Sequence, residues 1–209
     1  MKKLVTILLL GGVTGIGAFA ADVPKADLFL GYSFLRYNSA QNVQAFTANG
    51  GVGTIAWNFT SHIAAEFEFG GYHNGNINNN EFDTTSFSYL FGPRISMSRS
   101  RTIVPYMHAL FGGQNAHTSI EASALPPAAV PASTTGRVSR DQNGFAMAIG
   151  GGLDIRLSHG LSLRPIQLDY YLTRFQAVDF NSFTGPSTNR NQNNLRYAAG
   201  ILFNFGSKQ

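Results

Sequence analysis

From Asn193 to Phe205 the chain reads NNLRYAAGILFNF, and its large apolar residues share one parity: Leu195, Tyr197, Ile201, Phe203 and Phe205, with Ala199 among them. Asn194, Arg196 and Asn204 take the other parity. Alternation of this length predicts an extended strand with one oily and one wet face, because successive strand side chains point to opposite sides. The pattern recurs at about Ala26–Tyr37, Gly50–Phe59, His62–Tyr72, Thr85–Met97, Thr102–Gln114, Asn143–Leu157 and Leu161–Arg174, which makes eight strands. Each exceeds the roughly five or six residues usual in a soluble sheet and suits a tilted membrane strand.

The connections alternate. After strands two, four and six the chain turns within Thr60-Ser61, Ser98–Arg101 and Ser158–Gly160; after strands one, three, five and seven it runs on through long polar segments. Short turns at one end and long loops at the other are the expectation for an antiparallel barrel with periplasmic turns and extracellular loops. The longest loop spans Asn115–Gln142; Pro126, Pro127 and Pro131 argue against a further hairpin inside it.

Parity then separates an outside from an inside. Strand four sets Phe87, Tyr89, Phe91, Pro93, Ile95 and Met97 against Ser86, Ser88, Leu90, Gly92, Arg94 and Ser96. Strand six sets Phe145, Met147, Ile149, Leu153 and Ile155 against Ala146, Ala148, Gly150, Gly152, Asp154 and Arg156. On strand three, Ile63, Ala65, Phe67 and Phe69 oppose His62, Ala64, Glu66, Glu68 and Gly70. The polar face is too rich in small residues for a solvent coat, which is normally built of Lys and Glu. A narrow eight-strand interior requires such small, hydrogen-bonding side chains, whereas lipid favours Phe, Leu, Ile and Tyr. The fold expected is all-β, an eight-stranded antiparallel up-and-down transmembrane barrel, whose closure leaves no unpaired backbone edge in hydrocarbon. Tyr32, Phe34, Trp57, Phe59, Tyr170, Phe203 and Phe205 fall near strand ends, where such barrels carry aromatic girdles.

Composition adds location. Residues 1–20, MKKLVTILLLGGVTGIGAFA, run from two lysines through an apolar stretch to Ala18-Phe19-Ala20, the order of a cleaved secretory signal peptide, so residues 21–209 form the expected barrel domain. The stretch is short for a spanning helix and holds four glycines, and no later segment approaches the ~18–20 apolar residues a span needs. No cysteine is present, which excludes disulfides, thiolate metal sites and a lipoprotein anchor. Without Lys2 and Lys3 the formal charge falls from +4 to +2, so the basic balance gives no case for nucleic acid.

With these features the chain resembles the small OmpA-type (OmpA/OmpX-like) outer-membrane β-barrels of Gram-negative bacteria. Members commonly end in Gly-x-x-aromatic-x-aromatic, a signal read by the barrel-assembly machinery; Gly200-Ile201-Leu202-Phe203-Asn204-Phe205 is similar to it, although Ala198 stands where a polar residue is usual and four residues follow. The resemblance implies an outer-membrane location, lipid and lipopolysaccharide as surroundings, and a monomer. The peptidoglycan-binding domain that follows the barrel in OmpA has no counterpart in this sequence, so that activity is not implied.

Candidate chemistry falls into two sets. The interior parity collects Glu66, Glu68, Arg94, Asp154, Arg156, Asp169 and Arg196, and a bulge at Pro165 brings in Arg164. Buried charges must be paired. A network that plugs the lumen is the favoured reading, and a gated pore in which Arg94 or Arg196 exchanges partners is the alternative. Arg36, Arg137, Arg140, Arg174 and Arg190 map to the extracellular end, where guanidinium groups suit the phosphates of lipopolysaccharide. A third reading, a lipid-modifying enzyme, would use His108 with Ser86 or Ser88; a lumen histidine held by hydrogen bonds is the simpler account. Gly51-x-Gly53-x-x-Ala56 spells a dinucleotide fingerprint on a strand where that motif requires a helix, and the five histidines form no ligand pair, so neither a cofactor nor a metal is expected.

Overall fold

The computed structural model describes residues 24–38, 46–77, 82–97, 102–121, 136–176 and 189–206. The signal-peptide segment and its cleavage point, and the three loop prolines, lie outside these residues. Eight strands, β1 (Ala26–Tyr37), β2 (Phe46–Asn58), β3 (Ile63–Ile77), β4 (Phe82–Ser96), β5 (Ile103–Glu121), β6 (Arg137–Arg156), β7 (Leu161–Gln176) and β8 (Asn189–Phe205), pair in chain order and close into a barrel. The closing seam is a twelve-pair antiparallel ladder from Ala26↔Phe205 to Tyr37↔Asn194.

Strand ends at the tight turns agree with the sequence within a residue, but several ends at the other rim are longer than expected. β2 starts at Phe46 rather than Gly50, β3 runs to Ile77 rather than Tyr72, and β8 starts at Asn189. The expected loop Asn115–Gln142 gives both its ends to a continuing β5–β6 ladder, Asn115↔Asn143 to Glu121↔Arg137. Alternation marks a strand only where one face must be apolar; above that level both faces are wet, and the ladder persists on backbone hydrogen bonds and polar cross-strand pairs, Asn115–Asn143, His117–Asp141 and Ser119–Ser139.

Every strand presents exposed apolar side chains outward, among them Tyr32, Trp57, Phe67, Phe91, Met107, Ile149, Leu168 and Ile201. Facing pairs extend across strands; the Phe67 and Phe91 rings lie 4.5 Å apart. The interior is the reverse of a soluble barrel, because its buried residues include Glu66, Glu68, Arg94, Arg164, Asp169 and Arg196. Toward the loop end, Leu35, Tyr37, Ala48, Tyr72, Leu90, Leu110, Ala146, Ala148 and Tyr171 pack together inside.

Candidate functional site

The ion network, with His108, is drawn from six strands, β3 to β8. On the lower wall, nearer the tight turns, Asp154 accepts from Arg94 Nη2 and from Arg164 Nε at 2.7 Å. Both guanidinium groups lie over the ring of Tyr106, at 4.1 and 4.3 Å, and Arg164 also covers Phe29. Above them Arg196 holds Glu68 through Nη1 and through Nη2 at 2.9 Å, and Asp169 through Nε at 2.9 Å and Nη2 at 2.7 Å. These are charge-assisted bonds in a site closed to water, the condition under which burying ions is tolerable.

Two links join the clusters. Gln167 accepts from Arg164 Nη1 at 2.9 Å and donates to Asp169 at 2.9 Å. His108 stands between Glu66 Oε1, 3.1 Å from Nδ1, and Asp169 Oδ1, 2.8 Å from Nε2. The backbone explains how these residues meet. His108 on β5 and Asp169 on β7 both pair with Gly150 on the intervening β6. A Cβ on Gly150 would lie 2.2 Å from Asp169 Oδ1, so only a residue without a side chain lets them join over it. Gly152 does the same for Tyr106 and Gln167, whose hydrogen bond of 2.8 Å crosses above it.

The bulge expected at Pro165 is present. The β7–β8 register shifts between Arg164 and Gln167, so residues of opposite parity, Arg164 and Gln167, both face the lumen. The hydroxyl of Tyr197 donates to the Pro165 carbonyl at 2.8 Å, which supplies a partner at the break in the ladder.

Seven of the eight lumenal charges expected from the sequence are buried: Glu66, Glu68, Arg94, Asp154, Arg164, Asp169 and Arg196. Arg156 differs. It is half-buried at the turn-side mouth, beside Pro24, Val104 and Ser162, and makes no ion pair with the set among the described residues. His108 is not next to the serines. It pairs in register with Arg94, whereas Ser88 pairs with Gln114, six residues or roughly 20 Å up the barrel. Both imidazole nitrogens are taken by carboxylates, so the geometry assembles no serine–histidine pair. Sequence reasoning missed Tyr106, Gln114 and Gln167. All lie on the inner parity, and the Gly150-Gly151-Gly152 run on β6 was the available signal that neighbouring side chains meet there.

Of the five arginines placed at the loop end, Arg36, Arg137 and Arg174 are exposed. Arg140 pairs with Thr118 on β5, and Arg190 with Phe175 on β7.

No protein-family model and no curated protein matches the sequence. Solved structures do match by shape. Ail, the attachment invasion locus protein of Yersinia pestis, superposes with a TM-score of 0.54 at 13% identity, over 87% of this chain and 99% of Ail. Neisserial surface protein A superposes with a TM-score of 0.53 at 10% identity, over 87% of this chain and 97% of that one. The chain has the fold of these small barrels.

Proposed function

We propose that this chain is an integral outer-membrane barrel, closed through its lumen, that acts by presenting its extracellular loop end to partners and performs no catalysis. The observation that carries the reading is the apolar outer band: every strand contributes exposed Phe, Tyr, Trp, Leu, Ile or Met side chains around a charged, hydrogen-bonded interior. Water does not tolerate such a continuous surface, and lipid requires it. The paired ions and the tyrosine-rich packing above them support a plug rather than an open path. The protein inserts as a monomer, with the last strand as the segment presented to the assembly machinery. Two results test this reading. The refolded chain in a planar bilayer should be electrically silent at neutral pH, and steady conductance there would refute the closed lumen. Excising residues 122–135 should leave a folded barrel that no longer binds its surface partner; retained binding would move the function away from that loop.

The loop-end arginines support one chemical class of contact, phosphate groups of lipopolysaccharide. Replacing Arg36, Arg137, Arg140, Arg174 and Arg190 by Gln should weaken lipopolysaccharide binding and flatten its salt dependence, since exposed charge pairs are screened. Unchanged affinity and salt slope would remove this contact.

A further inference from the structure

Apart from Asp27 on β1, which is buried lower down and accepts from Asn58 Nδ2 at 3.1 Å, the connected ion network holds four carboxylates, Glu66, Glu68, Asp154 and Asp169, against three guanidinium groups, those of Arg94, Arg164 and Arg196. The imbalance centres on His108. An ionised carboxylate only accepts hydrogen bonds, and a neutral imidazole donates through one nitrogen alone. With Glu66 at 3.1 Å and Asp169 at 2.8 Å on its two nitrogens, a neutral ring would set a lone pair against a carboxylate. An imidazolium satisfies both and brings the set to four charges of each sign.

We infer that His108 is a proton-controlled latch, and that loss of its proton converts the closed lumen into a cation-selective path. This rests on the closed-lumen reading above. Among the described residues, His108 is the ionic bridge between the two clusters, reaching the Arg94–Asp154–Arg164 cluster through Glu66 and the Arg196–Glu68 cluster through Asp169; the second link, Gln167, is neutral. The groups facing the ring are Glu66 from β3, Arg94 in register on β4, Tyr106 on its own strand with ring centroids 5.7 Å apart, and Asp169 from β7, which Arg196 from β8 also holds; β6 offers Gly150 alone. When the proton leaves to water, the neutral ring keeps a single N–H, so one of the two carboxylates loses its hydrogen bond; with the N–H on Nε2, toward Asp169, the one that loses it is Glu66. Its other nearby cation is Arg94, whose Nε is 3.9 Å from Oε2, beyond hydrogen-bond reach. A buried carboxylate without a bonded donor is costly and draws in water. The net charge of the set becomes negative, which fixes the sign of the ions admitted.

The test is single-channel recording on the refolded full barrel under a salt gradient, at neutral and at alkaline pH, with His108→Gln in parallel. The latch predicts a silent wild type at neutral pH, cation-selective steps at alkaline pH, and steps at both pH values in His108→Gln. Silence of the wild type at both pH values leaves the closed lumen standing and overturns the latch. Equal conductance at both overturns the closed lumen itself. A pH dependence that persists in His108→Gln also overturns the latch. Should that variant fail to fold, nitrogen-15 spectra of histidine-labelled wild type decide the point. Two protonated ring nitrogens on His108 at neutral pH, reduced to one at alkaline pH, support the latch, and a neutral ring at neutral pH refutes it.

Discussion

Asp154→Asn isolates what the ion network contributes. The carboxylate accepts three hydrogen bonds from two arginines, from Arg94 Nη2 and from Arg164 Nε and Nη2, and all three groups are buried. Asparagine keeps the shape and one acceptor but turns an amide donor toward guanidinium donors, so about two charged bonds are lost, each worth roughly 1.5–3 kcal/mol. The result, about 3–6 kcal/mol, agrees with the ~3–5 kcal/mol expected when one partner of a buried pair is removed. That is a large part of the ~5–15 kcal/mol that holds a typical fold, so the variant should remain folded but marginal. Arg164→Met in the same background removes the stranded cation, and the double variant should be more stable than the sum of the singles by about 1–3 kcal/mol. Urea unfolding in lipid vesicles measures this directly. The single tryptophan, Trp57, is 58% exposed on the outer face, so its emission follows departure from lipid. A loss below about 1 kcal/mol for Asp154→Asn, or strict additivity in the double variant, would refute the claim that these ions are coupled.

Other substitutions probe the wall. Tyr197→Phe removes the donor to the Pro165 carbonyl and should destabilise the barrel by about 1–3 kcal/mol in the same urea assay, whereas a neutral result would mean the carbonyl has another partner. Gly150→Ala places a methyl 2.2 Å from Asp169 Oδ1; it should lower stability and separate the His108–Asp169 pair, read as a changed His108 nitrogen-15 signal. Phe67→Arg, on the outward face of β3, should cost about 2–4 kcal/mol if that face meets the middle of the bilayer, and little if it meets water.

The strands and their two faces were legible because lipid imposes contrast on every second residue. Phe87, Tyr89 and Phe91 against Ser86, Ser88 and Leu90 leave one assignment once a barrel is assumed. The Pro165 bulge was legible too, since a proline interrupts the ladder and the apolar parity slips at the same place. The rim ends of β2, β3, β5 and β6 were not, because polar residues on both faces carry no period. Nor was the partner set of His108. Alternation says that His108 points inward, but which carboxylates it meets depends on strand register, and the offset that separates it from Ser88 is not written in either strand alone. Arg156 shows the same limit: its parity is inward, yet it lies far enough toward the mouth that it needs no buried partner.

The closing seam has a consequence for how the barrel matures. Arg196 is carried by the last strand, and its carboxylate partners sit on β3 and β7. In a chain still waiting for β8 to reach β1, Arg196 can already lie beside Asp169 on the neighbouring β7, but Glu68 on β3 is without this cation. The Arg196–Glu68 ion pair and the hydrogen-bonded seam between β8 and β1 therefore form in one step. An open intermediate is a charged groove that favours water, and a closed barrel is a sealed cylinder that favours lipid, so the final strand decides in which of the two the protein belongs.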